Sequence, residues 1–453
     1  MSVISSIEKA EIFPLNPPAS GSYSFNLGYP IVNFMIAPQD KLLDTTTLRL
    51  NGVLRLNAPL STEDNPVHAG NGSGTPAIDG ICLNSRIGVA SCIQQVTLST
   101  QTGQTLEVVR GYGRYVASVA SATLSQSDLD GVVSATNPGC GSRTFVGGKQ
   151  CNVDVYFSVP LRTGLLSSGQ ALPLAQIQGL SVTLELAPDA TALSGYSTYD
   201  ALGVETKVLF TPTNVAFYQL RDLSLSYDLL VPADPSKISS SGVLEYNSIS
   251  HQYSVLNSSD QTINLNLGTA NTLSVVHNFI PTPFISSYTY DSYGTFKLLN
   301  GPTGTSAAAI KRVSFLRGGS RFPLDYAVDV EAEGTLGVAQ TDLETKYLDA
   351  VKPLISLEHC LMSTNTQTSK ATAISFDDVP TPRILPTLTE PKPVFGAGVR
   401  MDVLSQVGVS FKDTTYGLRV ESALNGASPN SVFTYCFAKN MLQYSPQGVM
   451  VSS

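Results

Sequence analysis

Short runs in which apolar and polar residues alternate recur along this chain. In Val153 to Val159 (VDVYFSV) and Leu180 to Leu186 (LSVTLEL) apolar side chains fall at about every second position, the period of a strand with one buried face. Val204 to Phe210 (VETKVLF) is a third β-rich run, and Gly, Pro, Asn or Asp bound all three. Turn residues sit at hairpin spacing. Thr102-Gly103 separates Val96-Thr97-Leu98 from Leu106-Glu107-Val108, and Gly318-Gly319 separates Val313-Ser314-Phe315 from the run Tyr326 to Val330. Many short strands at such spacing predict an all-β chain of sandwich or barrel type.

Two segments carry the helical period instead. In Arg110 to Leu124, Tyr112, Tyr115, Val116, Val119 and Ala120 share one face of a helix. In Thr341 to Leu354, Thr341 can cap, Glu344 completes a capping box, and Leu343, Tyr347, Leu348 and Val351 share a face before Pro353. Between the elements, Pro59 to Gly80 and Asp189 to Gly203 are Gly/Ser/Thr-rich and aperiodic, as surface excursions are. Pro380 to Pro393 carries five prolines and is expected to run extended over a surface or interface.

Sliding the chain against itself gives a repeat. Thr45, Leu48 and Leu50 fall on Thr262, Leu265 and Leu267; Ile93, Val96 and Leu98 fall on Ile310, Val313 and Phe315; Val215, Tyr218, Leu220, Leu225 and Tyr227 fall on Val432, Tyr435, Phe437, Leu442 and Tyr444. The shift is the same each time, since 265 − 48, 310 − 93 and 432 − 215 all equal 217. The chain therefore reads as two copies of one β-domain. The linker-like stretch Pro232 to Gly242 (PADPSKISSSG) is the expected junction.

Composition narrows the function. A length of 453 residues suits two domains, and 14% charged residues with 42% hydrophobic ones describe a globular β-rich protein. The net charge of −8 and the absence of any Lys/Arg block argue against direct nucleic-acid binding. No apolar run near the start has signal-peptide character and no 18-residue apolar stretch follows, so a soluble chain made inside the cell is expected. The six cysteines (Cys82, Cys92, Cys140, Cys151, Cys360, Cys436) form no C-x-x-C pair and read as free thiols. His68, His251, His277 and His359 stand alone, too dispersed for the metal site of a two-domain cupin enzyme.

Other candidate chemistry is weak. Gly70 to Gly74 (GNGSG) lacks the Gly-Lys-Ser/Thr of a phosphate loop, and Asp128 and Asp130 lack the later ligands of a calcium loop. Asp325 with Asp329, or Asp377 with Asp378, offer paired carboxylates as a glycosidase needs, but the chain has no Trp to stack a sugar. Asn71-Gly-Ser and Asn257-Ser-Ser match the glycosylation triplet, which has no weight without a secretion leader. No catalytic, cofactor-binding or metal-ligating residue is assigned, and no enzyme activity or cofactor is expected.

Four segments resemble the double jelly-roll major capsid proteins of double-stranded DNA viruses, of the kind found in virophages and polinton-like viruses. Ile31 to Leu56 (IVNFMIAPQDKLLDTTTLRLNGVLRL) is similar to that family's opening strands, and Asn84 to Val109 to a strand and hairpin of its first jelly-roll. Val153 to Leu186 resembles its strand, Pro-Leu turn, Leu-Pro-Leu and strand succession, and Gly417 to Pro446 its closing strands. The resemblance implies an all-β fold of two tandem eight-stranded jelly-rolls with a short helix in each. It also implies boundaries at 1–22 for an N-terminal arm, 23–231 for the first jelly-roll, 232–242 for the linker and 243–453 for the second.

Functionally, the resemblance implies a virion protein that associates with itself as a homotrimeric, pseudo-hexagonal capsomer tiling an icosahedral shell. Minor capsid or penton proteins and an internal membrane are the further partners it suggests, with the arm reaching beneath the shell. A carbohydrate-binding or hydrolytic β-sandwich protein, or a minor capsid, penton or spike subunit, is the alternative. The lack of Trp leaves 19 Tyr and 17 Phe to supply aromatic contacts at interfaces.

Overall fold

A computed structural model describes residues 4–57, 81–83, 87–123, 154–195, 197–199, 205–207, 217–286, 292–293, 310–323, 327–329, 396–402, 408–422 and 429–452. In the first half, the long strand β15 (Phe217–Pro232) lies between β1 (Ile4–Ile12) with β2 (Ser22–Tyr23) on one side and β4 (Leu42–Asp44) with β5 (Arg49–Asn57) on the other. Beyond these come β9 (Asp154–Pro160) on β5 and β10 (Ala171–Pro173) on β4. A second sheet has the order β3 (Ile31–Ile36), β11 (Leu180–Leu186), β7 (Ile93–Ser99), β8 (Thr105–Arg110).

The second half repeats the plan. One sheet runs β16 (Gly242–Leu256), β24 (Asn430–Ser445), β18 (Thr272–Pro281), β22 (Gly396–Arg400), with β25 (Gly448–Ser452) also on β24. The other runs β17 (Asp260–Leu265), β23 (Tyr416–Ser422), β19 (Ile310–Arg317), β20 (Ser320–Arg321), with β21 (Ala327–Asp329) also on β19. In each half the opening strand lies beside the closing one, β1 and β2 against β15 and β16 against β24, so the chain closes by long connections between two sheets. Two small ribbons, β6 (Ile81–Leu83) with β12 (Leu193–Gly195) and β13 (Ser197–Tyr199) with β14 (Glu205–Lys207), flank the first half.

The alternation read from sequence becomes burial. Along β11 the residues Leu180, Val182, Leu184 and Leu186 point inward, and Val32, Phe34 and Ile36 of β3 and Val96 and Leu98 of β7 meet them. Leu50, Leu54 and Leu56 of β5 with Tyr218, Leu220 and Leu225 of β15 close the sandwich from the other sheet. Each such side chain contributes roughly 1.5–3 kcal/mol by leaving water. The Tyr218 hydroxyl crosses the core to donate to the Ala187 carbonyl (2.5 Å). A bulge breaks the β15 register between Arg221 and Ser224, with Asp222 at φ +49°. Opposite it only Gly52 fits: a Cβ there would lie 2.7 Å from Leu223 and 2.9 Å from the Arg221 carbonyl.

The Thr102-Gly103 and Gly318-Gly319 turns form as expected, with Gly103 at φ +91° and the two later glycines at +56° and +84°. The helix α1 (Tyr112–Thr123) sits where the period placed it, whereas the segment 341–354 and the Pro380 to Pro393 stretch lie outside the described residues. The described residues between 189 and 199 are not the irregular excursion expected. Asp189–Ala192 is a short helix, Leu193 is buried, and β12 and β13 follow at once. Its apolar residues are too few to show a period, yet they are enough to seat it on the core.

Residues 4–22 also differ from an arm that precedes the first strand. β1 is a ladder partner of β15, from Ile12 opposite Leu225 to Ile4 opposite Pro232, with Ala10 and Ile12 packed on the core. Its alternation is masked because Glu8 and Lys9 interrupt it; Glu8 is held by Lys41 at 2.5 Å.

The 217-residue repeat corresponds to structure unevenly. Val96 and Leu98 of β7 and Val313 and Phe315 of β19 hold the same inward positions in the same strand of their sheets. Residues 45–50, however, open β5, whereas 262–267 belong to β17 and its end, a strand of the other sheet. The third match pairs the correct strands, β15 with β24, but one residue out of phase: Tyr218 and Leu220 face their own core, while Tyr435 and Phe437 face away from theirs. A slip of one residue exchanges the two faces of a strand.

Candidate assembly surfaces and the joint between the halves

That exchange matters because the β16-β24-β18-β22 sheet is covered on both faces. All ten residues of β18 are buried. Val275 and Phe279 with Val432 and Cys436 fill the second half's own core, whereas Val276, Tyr435, Phe437 and Ile249 join the first half's core. Between the sheets of the second half, His277 places Nδ1 2.9 Å from Thr434 Oγ1 and Nε2 2.7 Å from the Tyr416 hydroxyl, and stacks on Phe315 and Tyr416. Burial pushes its pKa down to about 3, so the ring is neutral.

The joint is built on β8 and α1 of the first half. Glu107 is 5% exposed. Its Oε1 accepts from the Gly164 and Ile249 amides (3.1 and 3.2 Å) and its Oε2 from the Leu165 amide (2.9 Å), so one carboxylate ties a loop of the first half to β16 of the second. Burial raises its pKa, against the pull of the hydrogen bonds it accepts. Around it, Tyr246 donates to the Leu106 carbonyl (2.8 Å) and Tyr435 to the Gly111 carbonyl (3.0 Å). Arg114, fully enclosed, donates to the Ser292 carbonyl and lies over the rings of Tyr293 and Phe433. His251 packs on Tyr435 beside Gly111, and burial together with Arg110 pushes it down to about 4. A Cβ on Gly164 would run into the Asn247 carbonyl, so the backbones of the two halves touch there.

The corresponding outer face of the first half is different in kind. Across β5, β9 and β15, Arg49 donates to Ser158 (2.9 Å to Oγ), Ser158 to Asn51 (2.7 Å) and Asn51 to Ser226 (2.9 Å). Asp154 takes Arg221 at 2.6 Å and Arg55 at 3.4 Å. From the middle of this polar ladder Tyr156 projects with 81% of its surface exposed. Along the segment that leads from β1 to the start of β3, Phe13, Leu15, Phe25, Leu27, Tyr29 and Ile31 are each exposed.

Only some of the residues weighed from sequence lie among the described residues. Asp329 lies in β21 opposite Arg312, while Asp325, Asp377, Asp378, Asp128, Asp130 and the Gly70 to Gly74 loop are outside the described residues. Cys92 and Cys436 are buried thiols in different cores, and burial pushes Cys436 up to about 11. His251 and His277 occupy the joint and the second core. Glu107 went unnoticed in sequence, where it reads as the polar partner in an ordinary TLEVVR strand.

No protein-family model and no curated protein matches the sequence. Solved structures do match, over nearly the whole chain. PBCV-1 VP54, as fitted into a reconstruction of the virophage Sputnik, has a TM-score of 0.57 at 12% identity, covering 99% of this chain and 97% of its own. The chain is a double jelly-roll. The Sputnik virophage structure (TM-score 0.57, 10% identity, 99% of this chain and 88% of that one) and the Faustovirus major capsid protein (0.57, 10%, 98% and 91%) share this double jelly-roll fold. At such identities the likeness is one of fold, and both jelly-rolls and their joint fall within the matched span.

Proposed function

We propose that this chain is a major capsid protein, a structural subunit without catalytic activity that builds an icosahedral virion shell by association with itself. The observation that carries the reading is the joint: two jelly-rolls locked by apolar packing and buried hydrogen bonds behave as one two-lobed block. A block with two similar lobes, closed by a heterologous contact around a threefold axis, makes a capsomer with six similar lobes and a pseudo-hexagonal outline. Such outlines tile a flat facet. Structures sharing this fold over nearly their whole length include the Faustovirus major capsid protein, which supports the same role here.

Within the virion we expect minor capsid or penton proteins as further partners. The exposed apolar residues between Phe13 and Ile31 are ones on which they or an underlying membrane would act. Light scattering on the purified protein tests the reading. A particle of about three times the 48.0 kDa chain mass, hexagonal in negative stain, is expected. A chain that remains monomeric at high concentration overturns it.

A further inference from the structure

The joint holds a titratable ring with nothing to receive its charge. His251 lies on β16 opposite Tyr435 of β24, with the ring centroids 5.0 Å apart, and the Phe433 ring is 5.8 Å away. From the first half, Gly111 comes so close that a Cβ there would stand 3.3 Å from His251 Nε2 and 3.1 Å from the Tyr435 hydroxyl. Nε2 is enclosed and has no hydrogen-bond partner. The nearby Gly111 carbonyl already accepts from the Tyr115 amide and the Tyr435 hydroxyl, both at 3.0 Å, so its two lone pairs are taken.

The charges around the ring are mainly positive. Arg110 of β8 acts on it across the joint, and Arg114 of α1 lies 5.8 Å from the centre of the Phe433 ring. Arg162, in the loop that Glu107 ties down, acts on Tyr112 and Tyr115 in the same joint. Burial pushes Tyr112, Tyr115 and Tyr246 upward, so these phenols supply no negative charge. The facing carboxylate is Glu107, which holds the amide of Ile249, two residues before His251. Its pKa is raised by burial, so in acid it loses its charge sooner than an exposed carboxyl and leaves the ring facing arginines.

We propose that His251 makes the joint between the two halves acid-labile: the neutral ring fits between them, and charging it drives them apart. An imidazolium there carries a second N–H with no acceptor and meets Arg110 and Arg114 in an enclosed, largely apolar setting. Burial together with Arg110 holds the ring at about 4, below the ~6.5 of an exposed imidazole. For a base with a lowered pKa, the stability it gives the closed joint is complete above ~6.5 and is lost as pH falls toward about 4. Those two values make the contribution of His251 to joint opening roughly 30-fold larger near pH 5 than near pH 8. Glu107 acts in the opposite sense, since neutralising it in acid relieves its burial. A chain with this device keeps its two lobes as one block at neutral pH and loosens the block in an acidic compartment. The inference rests on the geometry of the joint and holds whether or not the chain builds a shell.

The test uses the full chain. Hydrogen exchange of the wild type, His251→Phe and His251→Gln is followed from about pH 8 to about pH 5, corrected for the intrinsic pH dependence of amide exchange. In peptides spanning 246–252 and 160–167, opening should rise with acid by roughly 30-fold more in the wild type than in His251→Phe. Glu107 and His277 are present in every chain, so their titrations cancel in the comparison. Peptides spanning β7, inside the first half's own core, should show no such difference. A second measurement does not depend on the variants keeping their fold: in histidine-labelled wild type, the His251 ring signal, identified by its loss in His251→Gln, should remain mainly that of a neutral ring near pH 5. The same pH dependence in wild type and His251→Phe, or a wild-type ring that titrates near 6.5, overturns the inference and leaves the capsid reading standing.

Discussion

Replacing Glu107 separates the joint's polar tie from its apolar packing. In Glu107→Gln, the single amide oxygen can take the place of Oε1 and keep the Gly164 and Ile249 amides, but the NH2 group then faces the Leu165 amide, donor against donor. One buried donor left without an acceptor costs about 1–3 kcal/mol. In Glu107→Ala the three amides and the Thr163 hydroxyl lose their acceptor, and about 4 kcal/mol is expected after the relief of no longer burying a carboxylate. A chain of two lobes need not unfold in one step, so a global midpoint is a poor measure. Hydrogen exchange at the amides themselves is direct: about 2 kcal/mol in Glu107→Gln corresponds to roughly 30-fold faster exchange in peptides spanning 160–167 and 246–252, with Glu107→Ala faster still. Exchange at Ile249 unchanged in Glu107→Ala would refute the claim that this carboxylate fastens the halves.

Two further outcomes are expected. An unfolded imidazole titrates near 6.5 while burial holds His277 at about 3, so its neutral form belongs to the fold. Stability from this group is complete above ~6.5 and is lost as pH falls toward about 3, by about 5 kcal/mol in all; urea titrations of the wild type should show this slope, and His277→Gln should flatten it. Deleting residues 1–12 removes the β1 ladder and uncovers the Leu225 to Leu229 edge, so calorimetry should show the first half melting earlier. An unchanged melting profile would return β1 to the role of a detachable arm.

Local pattern alone settled much of this protein. The alternation in LSVTLEL, the glycine turns at 103 and 318–319, and the helical face of Tyr112, Tyr115 and Val116 each act over a few residues, and each formed where its period placed it. Double burial left no such mark: all ten residues of TLSVVHNFIP are buried, yet Thr272, Ser274, His277 and Asn278 interrupt its apolar residues, so the sequence does not read as a run covered on both faces. The tertiary structure decided the rest. β1 became a strand because β15, more than 200 residues later, supplied its partner. Tyr435 and Phe437 turned outward, against the phase of the repeat, because the first half was there to receive them. Glu107 became the tie between halves because Ile249 brought its amide within 3.2 Å. Side-chain period is a property of the backbone over a few residues; which surface covers a face is set by contacts between residues hundreds apart, and no local pattern encodes that.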